Sequence, residues 1–422
     1  MTSEIKQRIE QIRRGEVPER YVKTARGLAP TDWKRYTFGD IYTERKEPGD
    51  ENLPLLMVSI HSGVSDGEVD AAELPKQVKR IEDKSQYKKA VSGDLVFNMM
   101  RAWQGAIGTV RTTGMVSPAY IVAEPNDKAY PLFMDYYSRT PQMINQIDRQ
   151  SYGVTDFRKR LYWDSFAPIS CTLPPIAEQQ KIVAILTTQD KVIKLKEKRL
   201  AEKQRQKKYL MQQLLTGKKR LPGFSGEWKN IKLCEVLSER KEKNIEQNLR
   251  ICSVAVQKGV IDQIEHLGRS YAASDTSNYS VAHYGDIIYT KSPTGDFLYG
   301  IVKQNLLQET VAVSPLYGVF TPMTFGLGYF LHTYFQSAIC AQNYLLPIVQ
   351  KGAKNTINIT NDTFISSKLY LPLDVEEQKA IADTFIAADR EIELLQQDIE
   401  QEKQKKKALM QLLLTGIVRV KT

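Results

Sequence analysis

The most informative segment of this 422-residue chain is residues 173–217, which read LPPIAEQQKIVAILTTQDKVIKLKEKRLAEKQRQKKYLMQQLLTG. Apolar side chains recur there at steps of three, four and seven residues, a spacing typical of an amphipathic helix with a heptad seam. Pro174 lies where a helix can begin, and Gly217 lies where a C-terminal cap belongs. The segment therefore predicts one helix of about 35 to 40 residues, or roughly 50–60 Å at ~1.5 Å per residue.

Residues 371–416 repeat this pattern and read LPLDVEEQKAIADTFIAADREIELLQQDIEQEKQKKKALMQLLLTG, at an offset of about 199 residues. An isolated helix with so many polar seam residues would form a weak homodimer. Antiparallel pairing of the two helices within the chain lets the long polar side chains reach past the seam. The alternative is that each helix packs only on its own domain. The predicted seam residues are Ile182, Leu186, Ile193, Leu200, Leu210, Leu214, Ile381, Phe385, Ile392, Leu395, Ile399, Leu409 and Leu413, with polar interruptions at Gln189, Lys196, Lys203, Lys207, Glu402 and Lys406.

A fainter collinear repeat precedes each helix. The matches are Trp33-Lys34 with Trp228-Lys229, Glu44-Arg45-Lys46 with Glu239-Arg240-Lys241, Gly93-Asp94 with Gly285-Asp286, and Val116-Ser117-Pro118 with Val313-Ser314-Pro315. Short β-rich runs in these blocks are separated by Gly, Pro, Asn and Ser, and helical stretches interleave with them. The pattern predicts the α/β (α+β) class, with a twisted, mainly antiparallel sheet in each block.

The expected architecture is therefore a pseudo-twofold internal repeat of two tandem globular domains and two long helices. Its predicted parts are an N-terminal extension (1–31), a first domain (32–172), a first long helix (173–218), a second domain (219–370), a second long helix (371–417) and a tail (418–422).

The positive charge of the chain is concentrated in one region. The chain has 59 Lys and Arg against 49 Asp and Glu, a formal net charge of +10. Residues 190–220 hold twelve basic residues against three acidic ones, a net of +9 that nearly equals the whole excess. A basic protein of this kind suits nucleic acid or acidic partners. No apolar run approaches a membrane span and no signal peptide begins the chain, so we expect a cytoplasmic protein without a membrane partner.

Catalytic and metal-binding motifs are missing from the sequence. The four cysteines and four histidines are scattered, which argues against a zinc site or a disulfide framework. Neither a phosphate-binding glycine loop nor a methyltransferase signature occurs. Glu44-x-Lys46 and Glu239-x-Lys241 resemble half of a nuclease site, which also needs an upstream acid to hold Mg²⁺. A solvated strand edge is the favoured interpretation, and we expect no catalytic residue and no metal site.

The repeated Leu-Pro…Glu-Gln…helix…Leu-Leu-Thr-Gly blocks carry a family resemblance over essentially the whole chain. Together with Leu221-Pro222-Gly223-Phe224 before Trp228, they resemble the specificity subunits of Type I restriction-modification enzymes. The Gly-Asp, Val-Ser-Pro-x-Tyr and Asp-x-Phe features look like the target recognition domains of that family.

This resemblance implies a DNA-binding protein without catalysis of its own. Each target recognition domain would read one half of a bipartite, asymmetric site on double-stranded DNA, and the antiparallel coiled coil would set the spacer. The helices would dock two methyltransferase subunits, and restriction/translocase subunits would join for DNA restriction. S-adenosylmethionine for adenine-N6 DNA methylation, ATP and Mg would bind to those partners, and no cofactor is expected in this chain.

Loop residues able to hydrogen-bond base edges or hold phosphates are the candidate DNA contacts. In the first domain they are Arg101, Trp103, Gln104, Tyr152, Arg158, Lys159 and Arg160. In the second domain they are Lys291, Thr294, Lys351, Lys354 and Asn355. Two other hypotheses remain open at this point, an adaptor whose coiled coil bridges proteins and a metal-dependent nuclease that uses the Glu-x-Lys segments.

Overall fold

The computed structural model describes residues 3–24, 27–50, 52–65, 67, 86–155, 158–269, 272–351 and 357–420. The chain divides into two compact units. Unit 1 comprises Met1–Lys196 and Asp398–Thr422, and unit 2 comprises Glu197–Gln397. The predicted domain boundaries stay a prediction, because the division into units falls inside the long helices. No described helix is both long and apolar enough to cross a membrane.

Unit 1 begins with a helix and a hairpin and continues into a mixed domain. Its elements are α1 (Ser3–Arg13), β1 (Tyr21–Thr24), β2 (Gly27–Pro30), β3 (Lys34–Thr37), α2 (Phe38–Ile41), β4 (Tyr42–Glu44), β5 (Val58–Ser59), β6 (Gly63–Val64), β7 (Lys88–Ala90), β8 (Leu95–Asn98), β9 (Ile107–Thr109), β10 (Gly114–Val116), β11 (Tyr120–Pro125), α3 (Pro131–Tyr137), α4 (Pro141–Gln150), α5 (Trp163–Phe166), β12 (Ser170–Leu173) and the start of the long helix α6 (Ile176–Leu214). The main sheet has the antiparallel order β4-β11-β8-β9, and β3 pairs with β12.

The larger of two hydrophobic clusters in unit 1 lies on one face of this sheet. Phe166 packs against Phe38 and Phe97 with ring centroids 4.3 and 4.6 Å apart. Leu186 of α6 and Leu413 near the C-terminus belong to the same cluster. Each such side chain contributes roughly 1.5–3 kcal/mol when fully buried. The domain core therefore includes the ends of both long helices that lie in unit 1.

Unit 2 repeats this plan and adds a second four-stranded sheet to it. Its elements are the end of α6, β13 (Trp228–Lys232), β14 (Leu237–Glu239), β15 (Arg250–Ala255), β16 (Gly259–Asp262), α7 (Gln263–Leu267), β17 (Ser280–Ala282), β18 (Ile287–Tyr289), β19 (Val302–Gln304), β20 (Val311–Val313), β21 (Gly318–Pro322), α8 (Phe325–Tyr334), α9 (Ala338–Leu345), β22 (Gln350–Lys351), β23 (Ile357–Asn358), α10 (Asn361–Ser366), β24 (Lys368–Pro372) and the start of the long helix α11 (Val375–Leu414).

The strand orders of unit 2 show the internal repeat in three dimensions. The sheet β14-β21-β18-β19 has the same antiparallel order as the main sheet of unit 1, and β13 pairs with β24 as β3 pairs with β12. A second sheet, β16-β15-β20-β17, contains one parallel pair, β15 with β20. The core joins Phe320, Phe364 and Tyr289 to Leu214 and Phe385 of the long helices.

The predicted fold class is confirmed. Both units mix helices with mainly antiparallel sheets, and α6 and α11 have 39 and 40 residues. Within unit 1, Gln189 and Lys196 hydrogen-bond Glu402, and Lys196 also reaches Asp398, which is possible only if the helices run antiparallel. Gly217 and Gly416 have φ angles of 68° and 72°, the left-handed conformation expected of a glycine that follows a helix.

Candidate nucleic-acid interface

The first group of predicted DNA contacts lies on a short helical turn after β8. Ala102–Gln104 form a 3₁₀ turn that ends at Gly105, whose φ of 106° suits glycine. Arg101 and Gln104 are exposed on this turn, whereas Trp103 is half-buried. The Trp103 indole N–H donates to the carbonyl of Met100 at 3.0 Å. The turn therefore presents a guanidinium and an amide, and its tryptophan is held by local contacts.

A second segment places the remaining candidates of unit 1 next to this turn. Tyr152 and Arg160 exchange backbone hydrogen bonds at 3.1 and 2.9 Å. The amide of Leu161 donates to the carbonyl of Met99 at 2.9 Å, which joins this segment to the turn. Lys159 Nζ lies 5.0 Å from the centre of the Trp103 ring. The two segments that carry the seven candidates therefore lie side by side, and we name these residues reading surface 1: Arg101, Trp103, Gln104, Tyr152, Arg158, Lys159 and Arg160.

The chemistry of reading surface 1 is basic and aromatic. Tyr152 is 58% exposed and its ring lies 5.7 Å from that of Tyr162, which is 43% exposed. Lys159 forms an ion pair with Asp148 at 2.7 Å, so part of its charge is compensated within the chain. Guanidinium and amide groups match base edges, and exposed aromatic rings offer stacking faces. Exposed Met100, directly before Arg101, and Tyr162, two residues after Arg160, were not among the predicted contacts.

The candidates of unit 2 occupy the corresponding loop after β18. Lys291 has a φ of 56°, unusual for a residue with a side chain. Burial lowers the pKa of Lys291 below its ordinary value, and the nearby carboxylate of Glu239 partly offsets this effect. Thr294 is exposed on a tight turn in which its backbone exchanges hydrogen bonds with Phe297, both at 3.0 Å. The loop holds Lys291 close to the domain and presents Thr294 to solvent.

One of the other three candidates of unit 2 lies among the described residues. Lys351 lies on β22, which pairs with β23. Lys354 and Asn355 lie outside the described residues. DNA contact by any of the candidates in either unit stays a prediction.

The repeated Gly-Asp motif has a structural explanation. In unit 1 the carboxylate of Asp94 accepts hydrogen bonds from the Arg45 side chain and the Val91 amide, both at 2.8 Å. Burial raises the pKa of Asp94 above its ordinary value, although both hydrogen bonds act in the opposite direction. In unit 2 Arg240 donates to Asp286 at 2.6 Å in the same way. The motif thus anchors β8 and β18, the strands that precede the two candidate loops.

The two Glu-x-Lys segments have structural partners. Lys46 forms an ion pair with Glu44 at 3.3 Å, and Asn361 donates to Glu239 at 2.5 Å. Among the described residues, no group of three or more His, Cys, Asp or Glu side chains is arranged to hold a metal ion. These contacts favour the structural interpretation of the glutamates.

The predicted seam residues of the long helices all lie inward. Buried are Ile182, Leu186, Ile193, Leu214, Ile381, Phe385, Leu395, Ile399 and Leu413, and half-buried are Leu200, Leu210, Ile392 and Leu409. The polar interruptions are matched across the pair. Within unit 1, hydrogen bonds from Gln189 and Lys196 lower the pKa of Glu402 to about 2.

These pairs account for much of the basic charge in residues 190–220. In unit 2, Lys203 pairs with Glu391 at 2.8 Å, and Lys207 pairs with Asp389. These pairs are partly exposed. Exposed ion pairs contribute about 0–1 kcal/mol each, so the pairs specify which residues face each other more than they stabilise the helix pair. A large part of the positive charge is therefore compensated by the acidic residues of α11.

Comparisons with known proteins point to one family. Residues 226–404 match a family model described as the Type I restriction modification DNA specificity domain. The chain is 23% identical over 449 residues to the Type I restriction enzyme MjaVIII specificity subunit of Methanocaldococcus jannaschii, covering 96% of this chain and 97% of the relative. It is 22% identical over 445 residues to the putative MjaX specificity subunit of the same organism, covering 96% of this chain and 98% of the relative.

Solved structures share the fold at low identity. The S subunit of a Type I restriction-modification system from M. genitalium superposes with a TM-score of 0.53 at 10% identity, covering 92% of this chain and 97% of that one. A chain from a structure of the assembly and conformational transition of the type I R-M system gives a TM-score of 0.51 at 17% identity, covering 92% and 99%. These likenesses concern the fold alone.

Proposed function

This chain carries the DNA specificity domain of the Type I restriction-modification family, and we propose that it reads a bipartite DNA site. Each of its two domains would read one half-site. One observation carries the proposal. The two units share a sheet of the same strand order, yet the loops after β8 and β18 carry different side chains. A repeated scaffold with different loops suits two different sequences on one duplex.

Reading surface 1 supports the first half of this proposal. Exposed Arg101 carries the paired donors that recognise guanine in the major groove, and exposed Gln104 carries the donor and acceptor that recognise adenine. Tyr152 and Tyr162 offer rings for stacking or for contact with the sugar-phosphate backbone. In unit 2 Thr294 would contact a base edge or a phosphate, and Lys291 a phosphate.

The antiparallel helices would set the length of the spacer between the half-sites. They would also dock two methyltransferase subunits, and restriction/translocase subunits would join that assembly. The specificity-subunit family is generally non-catalytic, so S-adenosylmethionine, ATP and Mg would bind to the partners and not to this chain.

Matched changes in the lengths of both helices test whether they set the length of the spacer. One helical turn, about four residues, would be inserted into each helix between residues 197 and 202 and between residues 393 and 397. We expect methylated-adenine mapping, with the partner subunits present, to show a longer spacer with unchanged half-sites. Altered half-sites with an unchanged spacer would sink the proposal.

A further inference from the structure

One buried carboxylate in unit 1 joins the globular domain to both long helices. Glu178, at the start of α6, is 1% exposed. It accepts a hydrogen bond from the Trp33 indole at 3.3 Å and two from Arg419, both at 2.8 Å. Arg419 follows the end of α11 and also holds Asp32 through two bonds of 2.7 Å. We name this group end contact 1.

Unit 2 contains the same arrangement. Glu377, at the start of α11, is 1% exposed. The Trp228 indole donates to it at 3.1 Å, and the Arg220 guanidinium, which follows the end of α6, is bidentate to it. The Arg220 guanidinium also lies 5.4 Å from the centre of the Trp228 ring. We name this group end contact 2.

Each end contact packs against the glycine that terminates a long helix. A Cβ atom on Gly416 would lie 2.7 Å from Pro30 and 3.1 Å from Trp33. A Cβ atom on Gly217 would lie 3.3 Å from Trp228. The repeated Leu-Leu-Thr-Gly motif therefore ends each helix and also allows the tryptophan to approach closely.

A second three-residue contact lies twelve residues further along each helix from its glutamate. In unit 1 the Tyr136 hydroxyl donates to Asp190 at 2.6 Å, and Lys406 of α11 pairs with Asp190 at 2.6 Å. Asp190 lies roughly 18 Å along α6 from the buried glutamate at ~1.5 Å per residue. We name this group side contact 1.

Side contact 2 repeats the pattern in unit 2. The Tyr329 hydroxyl donates to Asp389 at 2.9 Å, and Lys207 pairs with the same carboxylate. Each contact therefore consists of an aromatic donor from the domain, a carboxylate from one long helix and a base contributed by the other.

Two contacts separated along a helix restrict the movement of a domain on that helix more than one contact does. A single contact would let a domain pivot about it, whereas two oppose both rotation and sliding. Because the end-contact carboxylates are almost fully buried, the loss of an arginine leaves an uncompensated charge, which is strongly unfavourable. The contacts therefore favour one placement of each domain on its helices.

We propose that Arg419, Arg220, Tyr136 and Tyr329 are positioning residues that fix the register of each reading domain on the helices and thereby restrict the spacer to one length. This inference rests on the proposed function. It also means that residues Gly416 to Arg419 help to hold the first reading domain in place. Arg419 binds Glu178, which lies 241 positions earlier in the chain.

The test selects duplexes from a library with a randomised central segment, using the full chain. Wild-type protein is expected to select two sequence blocks separated by one spacer length. In Arg419→Met and Arg220→Met the same blocks remain, and the fraction of duplexes with a spacer one base pair shorter or longer rises several-fold. Tyr136→Phe and Tyr329→Phe remove one hydroxyl each and give a smaller rise, so the test does not depend on a single destabilising change.

Arg45→Met is the matched control. It breaks a buried Arg–Asp pair inside the first domain, away from the helices, so it lowers thermal stability and recovery of the first block without broadening the spacer. The proposed positioning role is contradicted if the spacer distribution is unchanged in all four variants of the end and side contacts. It is also contradicted if Arg45→Met broadens the distribution equally. If wild-type protein selects no pair of blocks, the proposed function itself fails, and that result is separate from failure of the positioning role.

Discussion

The two units share their end and side contacts with the long helices, and they differ in the buried polar groups of their cores. Both use a Trp–Glu–Arg contact and a Tyr–Asp–Lys contact, and both contain the same four-strand order. In unit 1, buried Asp135 accepts hydrogen bonds from Thr109 and Arg139 behind the sheet. In unit 2, Lys303 on β19 and His332 on α8 are buried instead. The contacts between each domain and the long helices are therefore repeated in the two units, whereas the buried polar groups of the two interiors are not.

The largest expected effect comes from the equivalent core positions Leu186 and Phe385. Both are fully buried, in the cores of unit 1 and unit 2. Leu186→Ala is expected to cost about 2–5 kcal/mol and Phe385→Ala about 3–5 kcal/mol, because each leaves a cavity. Hydrogen exchange should show the loss of protection chiefly in the unit that holds the substitution. Equal loss in both units would mean that they unfold as one.

The next effect separates the two interiors by pH. Burial lowers the pKa of Lys303 to about 8, with Lys207 adding to the shift and Asp389 opposing it. Between pH 8 and the ordinary value of 10.5, the unfolded chain binds more protons than the folded one, so the free energy of unfolding rises with pH. Lys303→Met is expected to remove this slope and to stabilise unit 2 at pH 7 by up to about 3 kcal/mol.

Urea unfolding at pH 7 and pH 10 checks this prediction, with the exposed Lys229→Met as the control. A pH slope that survives in Lys303→Met contradicts it.

The buried His332 gives a further pH dependence of stability, on the acidic side. Its pKa is well below the ordinary value because of burial and the charges of Lys303 and Lys207. Unit 2 should therefore lose stability as the pH falls below about 6.5.

A third effect separates the reading surfaces. Arg101→Ala is expected to weaken discrimination at the first half-site by about 1–3 kcal/mol, the value of one bidentate base contact, and to leave the second unchanged. Thr294→Ala should affect only the second half-site. Binding titrations on duplexes mutated in one half at a time measure both. Unchanged binding and base preference in Arg101→Ala would remove this residue from the readout.

The smallest effect concerns a helix cap that one unit has and the other lacks. The Thr37 hydroxyl accepts from the Asp40 amide at 3.2 Å, and Lys232 stands at the equivalent position of unit 2. Thr37→Ala is expected to cost about 1 kcal/mol. Lys232→Ala should change little, because the Glu235 side chain still accepts from the backbone amide of residue 232. Thermal unfolding of the two variants compares them, and equal losses would argue against the cap.

The sequence predicted the long helices well because their signals are local. The heptad spacing, Pro174 and Gly217 anticipated α6 closely, and all predicted seam residues lie inward. It also predicted DNA contacts at Arg101, between β8 and β9, and at Arg158, between α4 and α5, and these contacts stay a prediction. It assigned no role to Arg419, because the carboxylate that this residue binds lies 241 positions away.

By itself, then, the sequence determined the repeat and the two long helices, and it carried the resemblance to the specificity subunits. Periodicity and an offset of 199 residues are properties of the chain that need no coordinates. Only the tertiary structure decided that the residues after each helix bind a carboxylate at the start of the other helix. It also decided that the basic residues of α6 face the acidic residues of α11. Such contacts depend on folding distant segments together, and a buried charge is tolerated only where that folding supplies its partner.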